Sequence, residues 1–366
     1  MAIFKNLRKA KREETQEKLS ESKSSLFDSD VARMTLEFDD EPKHTIPPLT
    51  QDYSLTPSGL YPHEVLLLDA AGSFFIDQME FPALWRQQYG ILDMSESLLS
   101  LSQRGFLVAA SLNATLESSN IQSLKAALRA CALPLGGKKA DLIARLTQEV
   151  SEPDLYDLFP KRNFALSYSG IRALDEAMYI PYLAKHPVAG LDIWALHRMV
   201  CLQPHRSYRD LVLDYMESHS KTLHAAGQFL EYRDLRFRMY QFWAEENRLK
   251  KAFPHLAETM YYDLSGAWHV GDFLSRYVSC QHFFPYEKSI AKIPTGSVRA
   301  MARLQPILGL SDEMLQALLG QFFKQYKTPF HLFTREECVQ IVALELQENC
   351  DALSQIYKLA EDRFEV

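Results

Sequence analysis

The sequence predicts a mostly α-helical chain, and three observations carry the prediction. From residue 170 onward apolar residues recur at helical spacing almost without interruption. Only two stretches read as strands: FLVAA over Phe106–Ala110, and NFALSY, where Phe164, Leu166 and Tyr168 alternate. The prolines at 181, 187, 204, 254, 285, 294, 306 and 329 fall mostly near the ends of helical patterns. No period of 20–50 residues repeats, so the C-terminal half is expected to be an irregular multi-helix domain and not a solenoid.

Composition narrows the function classes. With 47% hydrophobic and 24% charged residues among 366, the chain can build a core of ordinary size. Its net charge of −7 excludes a basic footprint over the whole protein, so any contact with nucleic acid must sit on a local patch. The five cysteines, Cys131, Cys201, Cys280, Cys338 and Cys350, form no C-x-x-C and are odd in number. That argues against a disulfide framework and a cysteine zinc site, and for a reducing interior. No apolar run reaches the roughly 18 residues of a membrane span, and charges follow MAIF too soon for a signal peptide. A cytoplasmic protein is expected. Nothing in the sequence calls for a cofactor.

The elements follow in order. Residues 1–50 read as a charged arm: Lys5, Arg8, Lys9, Lys11 and Arg12 come first, and an acid-rich stretch over 13–41 follows. Ile3, Phe4 and Leu7 could make an amphipathic foot within it. Pro57, Gly59 and Pro62 punctuate a turn, and helices are expected over His63–Phe75, Pro82–Tyr89 and Ser95–Gln103. The apolar face of the third comes from Leu98, Leu99 and Leu101, and Gly105 stops it. Three short helices, then a strand, suggest a winged helix, and the later LSYSG resembles the y-x-L-T-x-x-G ending of many winged-helix domains, with Ser167 in place of Thr. The expected arrangement is a winged-helix-like domain over 51–180, its wing made by Phe106–Ala110 and Phe164–Tyr168, with a helical hairpin at 112–150 inserted at the wing's tip. A helical domain over 181–366 follows, with helices expected at 170–185, 191–202, 207–225, 229–250, 254–264, 295–308, 311–326 and 334–363. Ser311-Asp312-Glu313 and Thr334-Arg335-Glu336-Glu337 are helix-start signals, the second a capping box.

The stretch with chemistry is SLKAALRACALPLGGKKADLIARLTQEV, residues 123–150. Leu124, Leu128 and Leu133 give one apolar stripe, and Leu142, Ile143 and Leu146 another. Pro134 ends the first helix, and Gly136-Gly137 permit backbone shapes closed to other residues. The result is a helix–turn–helix hairpin, with Lys138 and Lys139 at the mouth of the second helix. Free N–H groups and the positive end of the helix dipole already favour an anion there. Residues 111–150 carry five basic side chains (Lys125, Arg129, Lys138, Lys139, Arg145) against Glu117, Asp141 and Glu149, opposite in sign to the chain. A nucleotide P-loop is excluded: Lys138 is followed by Lys139 where Ser or Thr should stand, the first Gly is missing, and a helix precedes.

This stretch resembles a SAP motif, roughly L-K-x-x-L-x-x-x-G-L-x-x-x-G-x-K-x-x-L-x-x-R-L. Leu124-Lys125, Leu128, Leu133, Gly137, Lys139, Leu142, Arg145 and Leu146 fall in register, and Ala132 stands where the family usually has Gly. The resemblance implies binding of DNA with little base-specific readout, or of RNA. Carried over by position, it implies that Gly137, Lys138 and Lys139 meet backbone phosphate, with Lys125 and Arg145 flanking them. The neighbouring features resemble, loosely, SAP-containing proteins of bacteria and phages.

Other candidates are weaker. His63-Glu64 lacks the second histidine of H-E-x-x-H, since position 67 is Leu. Cys280-Gln281-His282 has no second half for a zinc site. No G-x-S-x-G elbow occurs. Pro153-Asp154 lacks a following E-x-K, and Glu287-Lys288 is adjacent instead of spaced, so a nuclease site does not assemble and the chain is expected not to be an enzyme. The third helix, Ser95–Gln103, carries no basic residue before Arg104, which suits a scaffold better than a base-reading helix. In 229–250, Arg233, Arg236, Arg238 and Arg248 interleave with Tyr232, Phe237, Tyr240, Phe242 and Trp243. The aromatics are expected in the core and the arginines paired with Asp234, Glu245 and Glu246, against a base-stacking surface. The expected function is non-catalytic DNA binding through the hairpin with an unidentified protein partner on the helical domain. The alternative is an interaction scaffold whose hairpin contacts protein.

Overall fold

A computed structural model of the protein describes residues 54–267, 282–328 and 330–364. The arm expected over 1–50 and the Cys280-Gln281 pair lie outside the described residues. Among those described, seventeen α-helices and one two-stranded sheet fall into two units, 54–218 and 219–364. The mostly α class is as the sequence predicts. No described helix is long and apolar enough to cross a membrane.

The first unit opens with α1 (Pro62–Ala70). Proline stands at its first position, and the Glu64 carboxylate accepts the Tyr61 N–H at 2.8 Å. Val65, Leu66, Leu67 and Leu68 are all buried, so α1 is surrounded by packing. Helices α2 (Leu84–Tyr89) and α3 (Met94–Gln103) follow. Asp93 caps α3, which buries Met94, Leu98 and Leu101 at spacings of four and three. Leu99, expected on that face, is exposed. Strand β1 (Leu107–Ala109) pairs antiparallel with β2 (Phe164–Leu166), Leu107 facing Leu166 and Ala109 facing Phe164. The strand pairing read from the sequence is therefore present, though Tyr168 already belongs to the next helix.

That helix, α8 (Tyr168–Glu176), shows why the chain needs L-S-x-x-G here. The Ser167 hydroxyl donates to the Gly105 carbonyl at 2.6 Å and accepts the Gly170 N–H at 3.0 Å. A Cβ on Gly170 would lie 2.2 Å from the Phe106 carbonyl oxygen, so only glycine lets α8 approach β1. Between the strands run α4 (Leu112–Ser118), α5 (Ile121–Ala130), α6 (Lys139–Glu149) and α7 (Glu152–Leu158). The ends of this insertion are fastened together: the Ala110 N–H donates to the Asn163 carbonyl at 2.9 Å, and the Arg162 guanidinium donates Nε to the Ala110 carbonyl at 2.7 Å.

The pattern expected at 170–185 is two helices, α8 and α9 (Tyr179–Lys185), because Pro181 fits the first turn of a new helix but not the middle of a long one. Helices α9 and α10 (Ile193–Leu202) pack on α1, so the first unit runs on to Ser218, within α11 (Tyr208–Ala225), instead of ending near 180.

In the second unit α12 (Phe229–Glu245) and α13 (Leu249–Ser265) pack along their lengths. The break lies at Asn247, which adopts φ +54°, and Pro254 sits inside α13, where a helix start was expected. Asparagine tolerates the left-handed region better than most residues. Helices α14 (Thr295–Ile307), α15 (Asp312–Phe323), α16 (Arg335–Leu346) and α17 (Cys350–Phe364) complete the unit. Thr334 and Glu337 form the capping box read from the sequence. The single helix expected over 334–363 is divided by Glu348 at φ +55°, and the Asn349 side chain accepts the Ala352 N–H to restart it.

Candidate nucleic-acid interface

The hairpin is built from its leucines. Leu124 and Leu128 of α5 and Leu142 and Leu146 of α6 are fully buried against one another. Leu112 and Leu116 of α4, Leu155 of α7 and Phe159 complete the same cluster, with Leu133 and Ile143 packed on its edge. So the two stripes do face each other, and the flanking helices supply the core that two short helices alone lack. These flanking helices were not read from the sequence. Their signals are there: Ser111 caps α4 and Ser151 caps α7, whose first turn holds Pro153.

The turn between α5 and α6 closes in two steps. Ala132 adopts φ +55°. Its N–H donates to the Arg129 carbonyl at 3.1 Å, and the Leu133 N–H to the Leu128 carbonyl at 2.8 Å. This is a Schellman ending, whose left-handed position glycine usually fills. Leu133 then folds back onto the cluster. Farther on, Gly137 adopts φ +121°, and a Cβ there would lie 2.9 Å from the Asp141 side chain. Gly136 has open space at its Cβ position. Only the second glycine is demanded by the fold.

At the mouth of α6 the cations divide by role. Asp141 accepts the Lys138 N–H at 2.8 Å, a carboxylate at the positive end of the helix. The Lys138 side chain is exposed. Lys139 is half-buried, and its ammonium donates to the Glu117 carbonyl at 2.5 Å, which ties α6 to the end of α4. Arg145 is half-buried too, and its Nη1 donates to the Pro134 and Gly136 carbonyls at 2.5 and 3.1 Å, clamping the turn from below. Lys125 is half-buried on α5, with Arg129 exposed one turn on. The five predicted residues thus lie on one small domain. Two of its cations, Lys139 and Arg145, also hold its backbone in place, which their spacing did not reveal.

The other sequence candidates sit in structural settings. Glu64 caps α1 and binds Arg104 at 2.6 Å, and Arg104 also donates to the Gly59 carbonyl. Asp154 exchanges hydrogen bonds with Ser151 at the start of α7. Glu287 accepts from Ser354. The arginines of α12 meet carboxylates inside their own unit. Arg233 binds Asp263 through Nε and Nη2 at 2.6 and 3.0 Å, and Asp234 at 2.8 Å. Arg236 pairs with Glu258, which also accepts from the Tyr232 hydroxyl. Arg238 pairs with Glu245. Asp263 and Glu258 come from α13, beyond the acids expected in the sequence. Tyr232, Phe242 and Trp243 are buried.

A leucine-cored helix–turn–helix with a cationic helix mouth is thus inserted between two paired strands. In the family comparison, residues 115–150 match the SAP domain. A SAP domain points to nucleic-acid binding in general. No curated protein matches the chain, and no solved structure does.

Proposed function

We propose that the chain is a non-catalytic DNA-binding protein that grips the phosphate backbone at the mouth of α6. The observation that carries this reading is the position of Lys138 within the SAP match: an exposed ammonium at the start of a helix whose turn is closed by Gly137. Lys139 and Arg145 support it, since an ammonium has three donors and a guanidinium five, and their carbonyl bonds use only some of them. Lys125 flanks the site on α5. The helical unit engages a protein partner in this reading; exposed Ile307 and Met314, near the junction of α14 and α15, are consistent with such a contact.

Two to five phosphate contacts would give modest affinity that falls with salt, by a logarithmic slope of about −0.9 per contact. The test titrates labelled duplex DNA, with duplex RNA in parallel, at several salt concentrations. Lys138→Glu is expected to weaken binding and to flatten the slope by about one. Lys138→Glu/Lys139→Glu is expected to weaken it further, and circular dichroism checks that the second change leaves the fold intact. Salt-independent binding, or equal binding by the variants, overturns the reading. In the alternative, the hairpin contacts protein. Loss of DNA binding with retained capture of a protein through the hairpin would establish it.

A further inference from the structure

An open groove of about 710 Å³ lies beside α4 and α5, between them and the segments that follow α1 and α7. None of its fifteen lining residues is acidic, in a chain with 47 Asp and Glu. Its one charged lining residue is Lys161, whose ammonium stands 5.8 Å from the ring centroid of Phe75. Phe75 is 39% exposed. The ammonium stands over the ring, so cation and aromatic ring sit together in the groove, a pairing that suits a phosphate and the base it carries.

The polar lining fits the rest of a nucleotide. Ser73 and Ser119 donate their hydroxyl hydrogens to the Ala70 and Thr115 carbonyls at 2.6 and 2.7 Å, so their free lone pairs can accept from the edge of a base. Asn120 uses its carbonyl oxygen on the Ser123 N–H at 2.8 Å, which leaves its amide N–H groups as donors. The groove and the SAP site share α4: Glu117, whose carbonyl holds Lys139, is two residues from Ser119 of the groove lining.

We propose that this groove holds an unpaired nucleotide of the strand that the SAP domain grips, its base against Phe75 and its phosphate at Lys161. The inference rests on the nucleic-acid reading of the SAP domain. It demands an unpaired base, because bases inside a duplex are stacked on each other and offer no free face. The occupant is therefore a single-stranded tail or gap next to a duplex.

The test compares the full chain's affinity for a blunt DNA duplex and for the same duplex with a short single-stranded tail, by fluorescence anisotropy. The native protein is expected to bind the tailed probe at least about fivefold more tightly, the low end of aromatic–base stacking. Phe75→Ala and Lys161→Gln are expected to lose that preference while keeping blunt-duplex affinity. Phe75→Leu, which retains the apolar contact, loses it too, and Phe75→Tyr keeps it. Lys138→Glu weakens both probes by the same factor. Equal binding of the two probes by the native protein, or a preference that survives in Phe75→Leu, overturns the groove proposal and leaves the SAP reading standing. Absence of salt-dependent binding to either probe overturns the SAP reading, and the groove proposal with it.

Discussion

Ala132 occupies a backbone shape that favours glycine, and that makes its replacement a sharp test of the hairpin. At φ +55° its Cβ crowds the following carbonyl, at a cost of roughly 1–2 kcal/mol for an L-residue. Ala132→Gly removes that cost but frees the unfolded chain, which takes back roughly 0.4–1 kcal/mol. The balance is a stabilisation of about 0.5–1 kcal/mol. In a unit the size of residues 54–218, that raises Tm by about 1–4 °C if the unit unfolds cooperatively. The same change at Ala126, exposed and in the middle of α5, should cost about 1 kcal/mol, because there glycine only loses helix propensity. Thermal unfolding by circular dichroism reads both, and amide exchange at Leu124 and Leu142 localises them. Opposite signs at positions 132 and 126 support the Schellman ending. A fall in Tm for Ala132→Gly, or equal shifts at both positions, refutes it.

Further outcomes follow from particular side chains. Gly137→Ala meets both a glycine-favouring φ and the Asp141 side chain, so it should destabilise the first unit by roughly 1–3 kcal/mol, whereas Gly136→Ala should be near neutral; chemical denaturation of the two variants checks the contrast. His255 is lowered to about 3 by burial and by the neighbouring Arg236 guanidinium. Its folded value lies below the unfolded one, so the fold favours the neutral ring. Its contribution is complete above about pH 6.5 and is lost as pH falls from there toward 3. Between pH 7 and pH 5 the second unit should lose up to about 2 kcal/mol through this group. His255→Phe should flatten that part of the profile, and an unchanged profile in the variant would count against the assignment.

What the sequence disclosed depended on whether the deciding chemistry was local. The strand pair was legible because alternation is a property of a single strand, and its closing motif because the Ser167 hydroxyl caps the Gly170 N–H three residues on; the approach of the same two residues to Gly105 and Phe106, far back in the chain, was not legible. The hairpin leucines were legible for the same reason, since periodicity is a property of one helix. The breaks at Asn247 and Glu348 were not, because a non-glycine residue in the left-handed region carries a weak sequence signal. Nor were the partners of Lys139 and Arg145. Their acceptors are backbone carbonyls 22 and 9–11 residues away, and a carbonyl looks alike at every position of a sequence.

That second role of the cations bears on how strongly the site can draw a phosphate. A carbonyl acceptor orients an ammonium or guanidinium without neutralising it, so Lys139 and Arg145 keep their full charge at the turn. Asp141 is different. It holds the Lys138 N–H from the first turn of α6 and sets a negative charge where the phosphate would approach. The acid steadies the helix, by roughly 0.3–1 kcal/mol through the dipole, and opposes the ligand. Asp141→Asn separates the two effects, because the amide oxygen can still accept the Lys138 N–H. It should lower the stability of the hairpin slightly and tighten duplex binding by about fivefold, the effect of removing one like charge roughly 4 Å away in a watery setting. Titration with blunt duplex at fixed salt reads the affinity, and thermal unfolding reads the cost. Weaker binding by Asp141→Asn with the fold intact would mean that phosphate does not approach the mouth of α6.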